Sequence, residues 1–306
     1  SKMSLQGLKL CLHFQETGES VAHLLQQIPE EVADLEISVN AHCLHHLALS
    51  KALAETFTSL SKLQKLNLSF SSNSNESYAH IHPPGHGLLS LAEICGSIAG
   101  RLKVLHMTFL ACYLPRHYLE EFFKKLSQNQ PDLGTLHFVM DQCRFDSTPH
   151  LVLPSGLQSC KFDLLSADGI DFLSICYPPS LPSLHLQWFD CHWPIESVCA
   201  MLRQLPRSLR NLDLAIDWCS LQSVQCETCF PANLQKLWFQ AVNTPFLEHR
   251  GWQRPIMQNV AHAMKRCSAL REFTLYLDES AQHHCHMDQS EEIQKWALSQ
   301  LSQLSQ

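Results

Sequence analysis

Histidine and cysteine are the side chains with which this sequence could do chemistry. There are 19 of the first and 14 of the second in 306 residues. The densest run is His283-His284-Cys285-His286, three imidazoles and a thiol of the kind that bind Zn²⁺. Neighbours in sequence rarely reach one ion together, so the run reads as a surface loop. Cys226 and Cys229 form one CxxC pair, but no second pair of ligands stands at a metal-site spacing. His42, Cys43, His45 and His46 begin a helix, where packing or solvation accounts for them. The sequence has no Gly-x-Ser-x-Gly, no P-loop, no dinucleotide fingerprint and no His-Glu-x-x-His. The expectation is a non-enzymatic protein with no catalytic residue, no metal and no cofactor.

Charge narrows the partners. Lys+Arg number 22 against 29 Asp+Glu, giving −7 and a pI near 6.2. Nucleic-acid binders present a basic face, so that class is set aside. Hydrophobic residues are 45% and charged residues 17%, a core-forming composition. No apolar run approaches the length that a membrane-spanning helix needs, so no span is expected. A chain this long needs no disulfide staples and no signal peptide is recognisable, so the cysteines read as reduced, buried thiols in a reducing compartment.

Leucine occurs 50 times while glycine occurs only 10 times. That excess is patterned. Aligned on Leu-x-x-Leu-x-Leu, the chain gives ten copies beginning at Leu5, Val32, Leu63, Leu102, Leu133, Leu157, Leu181, Leu209, Leu234 and Leu270. Position eight was not used in the alignment. It is apolar in every copy, including Phe70, Phe109, Trp188 and Ile216. Positions four, six and eight therefore alternate with a period of two, as in a strand with one buried face. Positions three, five and seven point the other way and are mostly polar.

Two further columns support the alignment. Pro29, Pro154, Pro178, Pro206 and Pro231 each stand three residues before position one. Proline lacks an N–H and fixes φ, so it is expected to end the preceding element and feed the chain into the strand in extended form. Position eleven is small: Cys112, Cys143, Ala167, Cys191, Cys219, Thr244 and Ser280. Stacked small residues imply a tight turn packed on its neighbours.

Between strands the period becomes helical. Val21, Leu24, Leu25 and Ile28 fit a helix face, as do Leu119, Phe122, Phe123 and Leu126. Leu88 to Leu102, Ile195 to Leu205 and Ile256 to Cys267 behave alike. The copies from Leu133 and Leu157 are only 24 residues long and leave little room for a helix. Residues 288–306 read as a C-terminal capping helix, started by Asp288 and aided by Glu291 and Glu292 at its positive end. Residues 16–31 play a weaker version of that role at the other side. No linker is evident, so residues 1–306 read as one domain, with repeats over 5–287.

These motifs resemble leucine-rich repeat proteins. The helix-bearing copies are similar to the ribonuclease-inhibitor type, and Pro206 to Leu214 resembles the bacterial Pro-x-x-Leu-x-x-Leu-x-Leu unit. The resemblance implies an α/β solenoid of about ten repeats, a curved horseshoe with a parallel sheet on the concave face and helices or irregular returns on the convex face. The asparagine usual at position nine survives only as Asn40, with Asp141, Asp217 and Asp278 elsewhere, so the side-chain ladder of that turn is expected to be incomplete. The mixture of repeat styles with many His, Gln and Cys resembles effectors of intracellular bacteria such as Legionella. That resemblance implies delivery by type IV secretion into the host cytoplasm and binding of a host protein.

A recognition function would sit on the outward columns. Position five reads Lys9, Glu36, Asn67, His106, His137, Lys161, His185, Asp213, Trp238 and Thr274, and position seven ends on Gln240 and Tyr276. Interface anchors are often aromatic. The candidate partner-binding residues are therefore His106, His137, Lys161, His185, Asp213, Trp238, Gln240 and Tyr276, acting in a monomer. His106 and His137 should lie on adjacent strands, with no carboxylate between them in their own column. Protonating the histidines would reverse the sign of the net charge, so binding could respond to acid. Two other readings compete. A stoichiometric inhibitor of an endogenous enzyme would prefer a strongly acidic face, which the column lacks. A metal-dependent hydrolase would use the His/Cys clusters.

Overall fold

The computed structural model describes residues 7–11, 23–40, 47–71, 98, 102–170, 173–189, 191, 200–217, 230–242, 267 and 269–278. The chain divides into two compact units, Ser1–Leu181 and Pro182–Gln306. The predicted clusters at 42–46, 226–229 and 283–286, and the predicted cap at 288–306, lie outside the described residues.

The first unit is a mixed α/β structure whose main sheet is parallel. Its strands are β1 (Gly7–Cys11), β2 (Asp34–Asn40), β3 (Lys65–Ser71), β4 (Val104–Leu110), β5 (Thr135–Asp141) and β7 (Ser159–Leu165), bonded in that order. Its helices include α1 (Leu47–Ser59) and α2 (Arg116–Asn129), and residues 23–26 are helical as well. A second, two-stranded parallel sheet pairs β6 (His150–Val152) with β8 (Ser174–Cys176). These short extended segments occupy the returns in which the 24-residue spacing left no room for a helix. The second unit carries four parallel strands, β9 (Ser183–Phe189), β10 (Asn211–Asp217), β11 (Lys236–Val242) and β12 (Glu272–Asp278). No described helix is long and apolar enough to cross a membrane.

Every strand pair within a unit keeps one register. Position four faces position four, as in Leu66↔Leu105, Leu136↔Cys160 and Leu212↔Leu237. A slip by one residue would turn every leucine to water, so the shared apolar column fixes the pairing. Leu35, Leu66, Leu105, Leu136, Cys160, Leu184, Leu212 and Leu237 are all buried. In the first unit Phe70, Phe109, Phe138 and Phe162 form an aromatic row, with successive ring centroids 5.3, 5.3 and 6.1 Å apart. Phe122 and Phe123 of α2 close on that row, 6.3 and 5.1 Å from Phe138. Leu119 and Leu126 complete the buried face that the 3.6-residue period anticipated. Asp146, one strand on, accepts the Arg116 backbone N–H at 2.7 Å and so caps the positive end of α2.

Three local readings are revised. The conserved offset of proline marks a turn and not an extended entry. Its carbonyl accepts the N–H of position one, at 3.1 to 3.4 Å for Leu157, Leu181, Leu209 and Leu234 and at 3.2 Å for Val32. Leu63, Leu133 and Leu270 make the same bond to Leu60, Gln130 and Cys267. Proline supplies the turn's first carbonyl, and its ring limits the unfolded chain. Gly156, inside one such turn, is required sterically, because a Cβ there would stand 2.2 Å from the Pro131 carbonyl oxygen.

The turn after the strand is also better bonded than the missing asparagines suggest. Position ten takes a left-handed backbone without glycine at Ala111 (φ 55), Gln142 (φ 52) and Ser166 (φ 50). The position-eleven thiols then act as donors. Cys112 reaches the Phe70 and Leu110 carbonyls, and Cys143 reaches those of Phe109 and Asp141, at 3.3 to 3.7 Å. Cysteine thus ties each turn to the end of the preceding strand. Finally, the apolar face expected from Val21 to Ile28 is narrower over its described part: Leu25 and Ile28 are buried, but Leu24 is 44% exposed, and Val21 lies outside the described residues.

Candidate functional site

In-register parallel strands bring successive position-five side chains to within about 5 Å of each other. In the first unit this aligns Lys9 with Glu36, which form an ion pair, and then Asn67, His106, His137 and Lys161. The rings of His106 and His137 stack, with centroids 4.0 Å apart and planes 17° apart. A carboxylate reaches His137 but not His106, and it comes from position seven and not from the column of the histidines. Asp163, at position seven of β7, lies 2.9 Å from His137 Nε2 and 3.0 Å from Lys161 Nζ. Position seven was expected to face outward, yet Asp163 is buried beside His137 and Lys161.

The consequence is a fixed charge pattern. Asp163 is held by two donors, and His137 is oriented by it. His106 is different, because its Nε2 is buried and makes no hydrogen bond. Burial first, then the neighbouring His137 and more weakly Lys161, hold the His106 pKa below its ordinary 6.5, with Asp163 and Glu36 opposing. His106 is accordingly a neutral imidazole near pH 7, stacked on a ring that Asp163 grips.

The second unit uses the same columns differently. His185, Asp213, Trp238 and Thr274 are direct register partners along β9 to β12. His185 Nδ1 lies 3.1 Å from Asp213 Oδ2, and the Asp213 side chain is 47% exposed. Trp238 is half-buried and Thr274 exposed. Gln240 stands in register with Ala215 on one side and Tyr276 on the other, and the Tyr276 side chain lies outside the described residues. Ala215 departs from expectation, since it is buried although its column points outward. An aromatic ring beside a half-exposed carboxylate and an imidazole suits recognition of a polar and apolar surface together.

The predicted residues therefore fall into two groups: His106, His137 and Lys161 in one unit, and His185, Asp213, Trp238, Gln240 and Tyr276 in the other. Two sets were missed. Asp163 was legible as the one carboxylate in a position-seven column of Ser38, Ser69, Thr108 and Val139. His150, Ser174 and Cys176 lie in the short returns, which carry no repeat to align. Among the described residues no group of three or more His, Cys, Asp or Glu side chains is placed to hold a metal ion. No protein-family model matches the chain. No curated protein is significantly similar to it.

Proposed function

We propose that this protein is a leucine-rich repeat solenoid of about ten repeats that binds a protein partner through the outward columns of its parallel strands. The observation that carries the reading is the in-register row of half-exposed His185, Asp213 and Trp238, with Gln240 beside it. A long row of mixed side chains on the strands of a concave face fits an extended protein surface better than a small molecule, which needs an enclosing pocket. The sheet is the rigid base, and the side chains supply the selectivity. The protein works by binding and not by catalysis. The resemblance to secreted bacterial effectors makes the partner a host protein, met in the reducing host cytoplasm.

The test is capture from eukaryotic cell lysate by the full chain, compared with Trp238→Ala and Asp213→Ala. Truncation of a central aromatic anchor costs about 2 kcal/mol or more, so Trp238→Ala should weaken a captured band at least about thirtyfold. Asp213→Ala should weaken the same band less. Undiminished capture by both variants would overturn the placement of the binding surface on this face.

A further inference from the structure

The two returns that no repeat explains carry a chemical arrangement of their own. Alternation along β6 and β8 buries Leu151 and Ile175 and turns His150, Val152, Ser174 and Cys176 to the opposite, exposed face. The register sets His150 across from Ser174 and Val152 across from Cys176. Cys176 Sγ lies 3.5 Å from His150 Nε2, and His150 Nδ1 lies 2.8 Å from Ser174 Oγ. The base is also anchored through its backbone. The His150 N–H donates to Glu120 Oε1 at 2.8 Å, and that oxygen also accepts from Arg116 Nε at 2.7 Å, so β6 is tied to the first turns of α2.

Nucleophile, base and orienting group thus stand in sequence, on an accessible surface. The other cysteines whose side chains are described are placed to be inert. Cys112, Cys143, Cys160, Cys191 and Cys267 are buried, whereas Cys176 is exposed. Burial pushes the Cys112 thiol up to about 12 and the Cys267 thiol up to about 11, far from ionisation at neutral pH.

We propose that Cys176 and His150 form a thiol-exchange site at which Cys176 takes up a small-molecule disulfide, with Ser174 as a positioning residue. The site is independent of partner binding on the main sheet. In the productive tautomer His150 donates its Nδ1–H to Ser174 and turns the Nε2 lone pair to the thiol. Nε2 takes the thiol proton while Sγ bonds to one sulfur of the disulfide and the disulfide's own S–S bond breaks. The departing thiolate then recovers the proton from the imidazolium. The Cys176 sulfur is oxidised to disulfide level, one sulfur of the small disulfide is reduced and leaves as a thiol, and its other sulfur stays at disulfide level in the adduct, so electrons and protons balance.

The test uses the reduced full chain with an aromatic disulfide whose released thiol is coloured, and then with glutathione disulfide. Peptide mass spectrometry locates the first adduct. The first equivalent should land on Cys176, and Cys176→Ser should remove the fast phase. At pH 6.5 His150→Gln should slow that phase by about tenfold or more, and the gap should narrow toward pH 9.5, where a thiol ionises unaided. Ser174→Ala should show a smaller slowing with the same narrowing. A measurement on the unaltered chain guards against a variant that misfolds: at pH 6.5 native Cys176 should react faster than the same cysteine in the urea-unfolded chain. A first adduct on another cysteine, a His150→Gln rate equal to wild type at pH 6.5, or a native rate below the unfolded one would each overturn the site.

Discussion

The outward strand positions are put to opposite uses in the two units. In the first, Asp163 has a side chain only 10% exposed and is gripped by His137 and Lys161. In the second, Asp213 has a side chain 47% exposed and bonds His185 alone among the contacts described for it. The scaffold beneath differs as well. His106 and His137 alternate along their strands with Leu105, Met107, Phe109, Leu136 and Phe138, whereas His185 and Asp213 alternate with Leu184, Leu186, Trp188, Leu212 and Leu214. One backbone register thus yields a locked polar cluster in one place and an available one in another. What decides is which neighbouring column carries the compensating charge.

The largest effect should come from the aromatic row. Phe138→Ala removes a fully buried ring that touches Phe109, Phe162, Phe122 and Phe123, and should cost about 3–5 kcal/mol. Urea unfolding monitored by circular dichroism measures it. A loss below about 1 kcal/mol would remove the rigid base from under the histidine cluster.

Next comes the contrast itself. Asp163→Asn leaves the Lys161 ammonium and the His137 ring facing a buried neutral amide and should cost about 2 kcal/mol. Asp213→Asn, more than a third exposed, should stay within about 1 kcal/mol. Equal losses in the two variants would mean that the locked and available clusters are energetically alike. Gly156→Ala probes the turn that spaces these strands. Its Cβ meets a neighbouring backbone oxygen, which has no flexible end to yield, and about 1–3 kcal/mol of destabilisation is expected in the same assay.

The smallest effect is a pH slope. The His106 pKa is lower in the folded chain than its unfolded value of 6.5, because burial and His137 disfavour its cation. Below about pH 6.5 the unfolded chain therefore binds more protons, and stability falls as pH drops toward the folded value. His106→Gln should flatten the melting temperature between pH 7 and 5. Unchanged slopes would show that His106 is not what senses the acid.

Much of the architecture could be read without coordinates, because period-two leucines leave a strand only one face to bury. The buried face of α2, from Leu119 to Leu126, was legible for the same reason at a period of 3.6. The proline column was seen, but its role depends on a bond between Pro and position one that no residue type announces. The column rule failed at Asp163 and Ala215, where outward positions become covered by what stands beside them.

The amino-acid sequence alone determined which residues face inward, where each strand starts and which side chains share a row, since these follow from local period and from a register that hydrophobic burial enforces. Tertiary structure decided how those side chains pair. The grip of Asp163 on His137 joins residues 26 apart, and the approach of Cys176 to His150 spans the same separation. Such contacts depend on the lateral spacing of strands and on which rotamer fills the gap, and neither quantity is carried by a one-dimensional pattern.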